Sequence, residues 1–317
     1  MLILRAKLKS TYRGIRVRDN GPYLAKLVAT DSVIDEIWYQ EYASGDNVNK
    51  GNYGVLVEVV LNNTTADVSR IKEAGVLFID GIEVVTTAED LQNAINNATG
   101  DKTIALYDGE YRGTIYMKSN VTLIGSEGTV VDCINLNGAS NVTLKGITFD
   151  AAGAKMSYDG KGTAKTLGIA NIITGDEIRS ANRGAMNLVI DGCTFTGKLA
   201  NGGAAIAFTD QGRTSGGSGN VTIKNCTFAA EGAYYGVYAH YTGNGSNGYG
   251  NFVIENNMFA SAYATGPIYL GRYASATPVE LIGNTFATVD SLENAIYVQD
   301  HSSYGVSIQE SGNTFAN

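Results

Sequence analysis

Four short phrases in a 317-residue chain align without gaps: AIAFTD (205–210), GVYAHY (236–241), PIYLGR (267–272) and AIYVQD (295–300). The side chains in them that could do chemistry are Asp210, His240, Arg272 and Asp300, beside a column of Ala207, Tyr238, Tyr269 and Tyr297. Hydrolysis of a glycosidic bond uses two carboxyl groups roughly 5–9.5 Å apart. If each phrase is one rung of a stack, Asp210 and Asp300 stand three rungs apart, about 14 Å at strand spacing. That is too far for a direct acid–base pair, and His240 and Arg272 lie between them. The tyrosines support two readings. Their faces could pack against sugar rings while Asp and Arg take hydroxyls, or they form a ladder packed against a loop or a neighbouring subunit.

Other residues promise less. Cys193 and Cys226 hold the same place in successive phrases and are expected to stack in a core as small apolar groups. With only His240 and His301 available and Cys133 distant, no metal site is expected. The sequons at Asn120, Asn141 and Asn220 fall at strand starts, and TSGGSGN (214–220) lacks the Lys-Ser/Thr of a phosphate loop. No cofactor is expected.

The elements that must position these groups are written repeatedly. NVTLKGITF (141–149), NLVIDGCTF (187–195), NVTIKNCTF (220–228), NFVIENNMF (251–259), VELIGNTF (279–286) and SIQESGNTF (307–315) are one phrase. Their final Phe residues, at 149, 195, 228, 259, 286 and 315, are separated by 46, 33, 31, 27 and 29 residues. A unit of this size that cannot bury its own apolar face must stack on its neighbours. Alternation within each phrase means strand, and variable spacing means that turns change while strands keep register. Two strands per unit suit a right-handed parallel β-helix. No leucine-rich asparagine ladder and no helical pair is visible, and a β-sandwich would give the near-identical phrases no purpose.

Ahead of the array, TTAEDLQNAINNATG (86–100) has the Thr-x-x-acid spacing of a helix start, with Leu91, Ala94, Ile95 and Ala98 on one side and Gly100 as a stop. A short amphipathic helix here would cap the open apolar end of the stack. Residues 1–80 are expected to be a small α/β or β attachment module, separate from the β-helix of 81–317. Strands over 1–9 and 15–18 could be joined as a hairpin through STYRG, and 65–75 fits a short helix ending at Gly75.

Composition agrees with a turn-rich β architecture: Gly 39, Pro 3 and 17% charged residues. The net charge of −8 hides an asymmetry, because Arg5, Lys7, Lys9, Arg13, Arg16 and Arg18 give residues 1–18 about +6 with no acid. This basic arm is either a solvated strand face or a docking element for an acidic partner surface, less readily nucleic acid. MLILRAKLK does not resemble a secretory signal, no segment is long enough to span a membrane, and three cysteines make no disulfide framework. Synthesis in a reducing cytoplasm is the expectation.

AEDLQNAINNA, TIALYDGEY, NVTLIG and the repeated NVTLKGITF-type phrases resemble the pectate-lyase-like superfamily of right-handed β-helices, over about 83–317. The resemblance implies an all-β fold, and it leaves activity open, because that superfamily holds lyases, hydrolases, phage tailspikes and inert scaffolds. Its lyases commonly use Ca²⁺ on clustered carboxylates with an Arg base. Its hydrolases would show adjacent aspartates, Asn-Thr-Asp, Gly-His-Gly or Arg-x-Lys, and the array contains none of these. A small module before a β-helix looks most like a tailed-phage virion protein. That resemblance implies a virion-surface location, a capsid-decoration or head-fibre role with glycan adhesion, and attachment to the major capsid protein or another virion component. It also implies a homotrimer. The alternative is a tailspike that binds or depolymerises host surface polysaccharide.

Overall fold

The computed structural model describes residues 2–4, 7–8, 15–18, 26–34, 37–40, 57–68, 75–156, 169–174, 185–199, 202–209, 219–240, 251–271, 278–299 and 306–316. The chain is a parallel β-helix, and it divides into two compact units: 1–87 with 103–107, and 88–102 with 108–317.

The larger unit stacks three parallel ladders. The first runs through Val121–Gly125, Ser140–Lys145, Met186–Asp191, Gly219–Lys224, Phe252–Glu255, Val279–Ile282 and Ile308–Ser311. The second is the Thr-Phe ladder, from Thr148–Asp150 through Thr194–Thr196, Thr227–Phe228, Met258–Phe259 and Thr285–Phe286 to Thr314–Phe315. The third passes from Ile172–Ile173 through Ala204–Thr209, Tyr235–His240 and Ile268–Gly271 to Ile296–Gln299. The long strand Thr129–Asn135 joins the last two, pairing Val131 with Phe149 and Ile134 with Ile172.

Register follows the repeated phrase. Leu144, Ile190, Ile223, Ile254 and Leu281 point inward on successive coils, and the six phenylalanines align below them. Their rings form one continuous stack, with centroids 4.6–5.4 Å apart and planes within 11°. Left-handed positions make the corners. Asn120, Asn141, Asn187 and Asn220 open the first-ladder strands at φ 49–65°. Gly146, Gly192, Asn225, Asn256, Gly283 and Gly312, at φ 53–67°, turn the chain from the first ladder to the second. Only Gly, or Asn with its short polar side chain, takes this conformation cheaply. The strand-opening asparagines are also bonded in series: Asn141 donates to Asn120, Asn187 to Asn141 and Asn220 to Asn187, at 2.8–2.9 Å.

The capping helix is Ala88–Asn96, with Glu89 and Asp90 in its first turn and Leu91, Ala94 and Ile95 buried. The side-chain amide of Gln92 accepts from Tyr116 N–H and donates to Tyr116 C=O, at 2.8 and 3.0 Å. Lys118 Nζ donates to the carbonyls of Asn96 and Ala98, neutralising the negative helix end that lacks a basic residue of its own.

The described elements of the smaller unit are strands, and their pairing differs from the hairpin expected. This unit too is built of parallel coils: Leu2–Leu4, Lys26–Thr30, Val57–Asn62 and Gly75–Ile79 form one ladder, with Leu2 on Leu27, Leu27 on Val59 and Val59 on Leu77. Lys7–Leu8, Val33–Ile34 and Thr65–Ala66 form a second, and Ile15–Arg18 lies parallel to Ile37–Gln40. The strands expected to fold into a hairpin around STYRG therefore pair with later coils. Residues 9–14 themselves lie outside the described part. The helix expected over 65–75 is replaced at its ends by strands Thr65–Ala66 and Gly75–Ile79, with 69–74 outside. Leu27, Ala29, Ile34, Ile37, Val59, Leu61, Val68 and Leu77 make its core. Asp80 and Gly81, at φ 49° and 80°, then reverse the chain, so that Ile82–Val85 lies antiparallel to Gly75–Ile79.

Candidate functional site: the tyrosine ladder

The third ladder carries the four phrases in the register their alignment predicts: Ala207 on Tyr238, Tyr238 on Tyr269 and Tyr269 on Tyr297. Inward positions are filled by Ile206, Val237, Ile268 and Ile296. The tyrosine rings stack at 4.6 and 5.5 Å.

Exposure divides the column. Tyr238 and Tyr269 are 2% and 6% exposed and pack with Cys133, Ala170, Ile173, Ala204, Ala207 and Tyr235, whereas Tyr297 is 47% exposed. Of the three tyrosines in this column, Tyr297 is the one that presents a face to solvent. It rests on a rigid base. The Tyr269 hydroxyl donates to Gln299 Oε1, and its ring lies over Gly271, where a Cβ would overlap it. Burial pushes the Tyr269 and Tyr235 hydroxyls above their ordinary pKa, so both stay neutral donors.

His240 lies in register between Thr209 and Gly271, with its ring 5.7 Å from Tyr238 and 5.9 Å from Tyr269. Asp210, Arg272 and Asp300 lie outside the described residues, as do Arg5, Lys9 and Arg13. Lys7, Arg16 and Arg18 are placed only as backbone, in strands Lys7–Leu8 and Ile15–Arg18. The structure thus brings the tyrosines and His240 together.

A carboxylate cluster that sequence reasoning missed lies on the early coils. Arg112 is 2.8 Å from Asp132, 2.9 Å from Glu110 and 3.6 Å from Asp150. Asp132 and Asp150 follow the paired residues Val131 and Phe149, so they stand on adjacent coils. Their chemistry is already committed. Asp132 accepts from Arg112 through one oxygen and from Gly113 N–H through the other, while Asp150 accepts from Ala152 N–H and caps the turn Ala151–Gly153. Asp132 and Glu110 hold the Arg112 guanidinium above its ordinary pKa. These residues order a corner. The alignment of VVD with TFD was the signal available for finding them.

Among the described residues, no group of three or more His, Cys, Asp or Glu is arranged to hold a metal ion, and no helix is long and apolar enough to cross a membrane. Two Arg-x-Lys triplets do occur, Arg5-Ala6-Lys7 and Arg70-Ile71-Lys72, but both belong to the smaller unit, and of their residues only Lys7 lies in the described part, as backbone.

No family model matches the chain, and no solved structure matches it. Among curated proteins, an endo-polygalacturonase from Sclerotinia sclerotiorum is 28% identical over 215 residues, which cover 59% of this chain and 52% of that protein. The chain thus spans about half the length of the relative it matches. That similarity agrees with the parallel β-helix and with the resemblance to the pectate-lyase-like superfamily.

Proposed function

We propose that this chain is a polysaccharide-engaging β-helix that works by adhesion and is displayed on a phage particle, with its N-terminal unit as the attachment. The observation that carries the adhesive part is the tyrosine stack ending in one open ring, Tyr297, on buried Tyr269 and Gln299. A flat aromatic face stacked on a buried ring suits the apolar face of a sugar, and neighbouring polar groups fix its hydroxyls. The likeness to an endo-polygalacturonase supports a polysaccharide as the ligand.

The purified chain is expected to be retarded in affinity gels cast with an acidic polysaccharide such as polygalacturonate. Tyr297→Ala should weaken retardation about threefold to tenfold, the value of one lost aromatic contact, while the variant remains folded. Retardation by no acidic or neutral polymer, or full retardation of the variant, would remove this site from the argument.

The same likeness favours a second reading, a depolymerase with its candidate residues among Asp210, His240, Arg272 and Asp300. New reducing ends that vanish in Asp210→Asn and Asp300→Asn would establish it in place of adhesion.

For attachment, the basic arm supports docking on an acidic particle surface, such as that of the major capsid protein, and three copies in a trimer would multiply its charge. Reversing Arg5, Lys7 and Lys9 to Glu is expected to release the protein from purified virions, as should high salt. Retention through both changes would exclude the arm, and an antibody to 83–317 that labels no virion would exclude the particle.

A further inference from the structure

Cys193 and Cys226 immediately precede the paired residues Thr194 and Thr227 on adjacent coils. Both are buried and neither is in a disulfide. Their thiols donate to backbone carbonyls, Cys193 to Leu144 and Asp191 and Cys226 to Ile190 and Lys224. Thr227 N–H donates to Cys193 C=O at 2.9 Å, which holds the two backbones at parallel-strand spacing. That spacing, about 4.8 Å, falls inside the 4.4–6.8 Å between Cα atoms that a disulfide spans. The next rungs of this corner column are Asn257, Asn284 and Asn313, each side chain bonded to the one below at 3.0 Å. Side-chain bonds thus join successive coils along the asparagines, and at the head of the same column two thiols stand on adjacent coils.

We propose that Cys193 and Cys226 form a modification site that a low-molecular-weight disulfide closes into an intercoil disulfide. Exchange started at either sulfur gives the same bond, and Cys193 serves as the attacking sulfur here. Its thiolate attacks one sulfur of the oxidant, expelling a small thiolate and leaving a mixed disulfide. Cys226 then gives up its proton, displaces the second small thiolate and completes the bond. Two S–H bonds and the oxidant's S–S bond break, and one protein disulfide and two small thiols form. The oxidant takes up two electrons and two protons. Stacked Cβ atoms must approach from about 4.8 Å to about 3.8 Å, so the bond carries strain and reopens readily to thiol reductants. Cys133 is an internal control. It lies in the tyrosine cluster, and burial pushes its thiol pKa up to about 12.

Closure is permitted once the chain leaves a reducing compartment, and it would tie coils that are 33 residues apart in sequence. The reduced full-length chain is incubated with oxidised glutathione in urea below its unfolding transition, which opens buried sites transiently. The expected result is the loss of two hydrogens from the intact mass, a linked peptide pair containing Cys193 and Cys226, and a higher unfolding midpoint that dithiothreitol reverses. Cys226→Ser should instead carry one glutathione at Cys193 and show no rise in midpoint. An unchanged mass, glutathione adducts alone on the wild type, a link through Cys133, or an equal rise in the Ser variant would overturn the proposal.

Discussion

Phe228→Ala is expected to cost about 3–5 kcal/mol, enough to leave a marginal population unfolded at ambient temperature. Phe228 is buried in the Thr-Phe ladder, with Phe195 stacked at 4.9 Å on one side and Phe259 at 4.6 Å on the other. Truncation removes the transfer free energy of the ring, breaks two aromatic pairs and leaves a slot between rings that hydrogen-bonded strands hold apart. The cavity cannot collapse, because the coils above and below are fixed at ladder spacing, and an uncollapsed cavity places the cost high in its range. Phe315 is the comparison. It has one ring partner, Phe286 at 5.4 Å, and is only partly buried, so Phe315→Ala should cost about 1–2 kcal/mol. Urea midpoints of the two variants test this directly. Equal losses would show that the stack contributes no more than its separate rings.

How far the fold was legible depends on what each residue had to reveal. The phenylalanines and the Ile, Leu and Val positions above them could be read because an inward column must be apolar in every coil, and repetition made the register visible. The corner glycines and asparagines could also be read as turns. The smaller unit was harder. Leu2, Leu4 and Leu8 alternate as strand residues do, but alternation does not say whether the partner is the next strand or one coil later. Its rungs, Leu2 to Leu27 to Val59, are separated by 25 and 32 residues and repeat no phrase.

The site shows the same division. The tyrosine register followed from the aligned phrases, whereas the burial of Tyr238 and Tyr269 did not. On the outer face of a strand, burial depends on what the rest of the chain lays over it, and local pattern carries no record of that. Asp132 and Asp150 were missed for a related reason. Each looks like an ordinary strand-end acid until Arg112, on another coil, is placed between them.

Asn257, Asn284 and Asn313 were the least legible, since nothing in ENNMF, GNTF and SGNTF marks an asparagine as turned inward, yet the largest polar effect is expected here. Asn284 is fully buried. It accepts from Asn257 N–H and from the Asn257 amide, both at 3.0 Å, and donates to Ile254 C=O at 2.8 Å and to the Asn313 amide at 3.0 Å. Asn284→Ala strands a backbone N–H and a backbone carbonyl in the core. At about 1–3 kcal/mol for each of the two orphaned groups, the loss should be about 2–6 kcal/mol. Asn284→Asp separates the two halves of the amide's role. Its carboxylate can still accept from Asn257, but it meets the Ile254 and Asn313 oxygens with no proton to offer. Burial and those oxygens raise the folded-state pKa above the unfolded value of about 3.9. The folded state then binds more protons than the unfolded state between the two values, so stability falls as pH rises through that window and stays low above it. The Asp variant should therefore come closest to wild type below about pH 4 and lose ground steadily above it. A deficit independent of pH would show that water, rather than the neighbouring asparagines, satisfies this column.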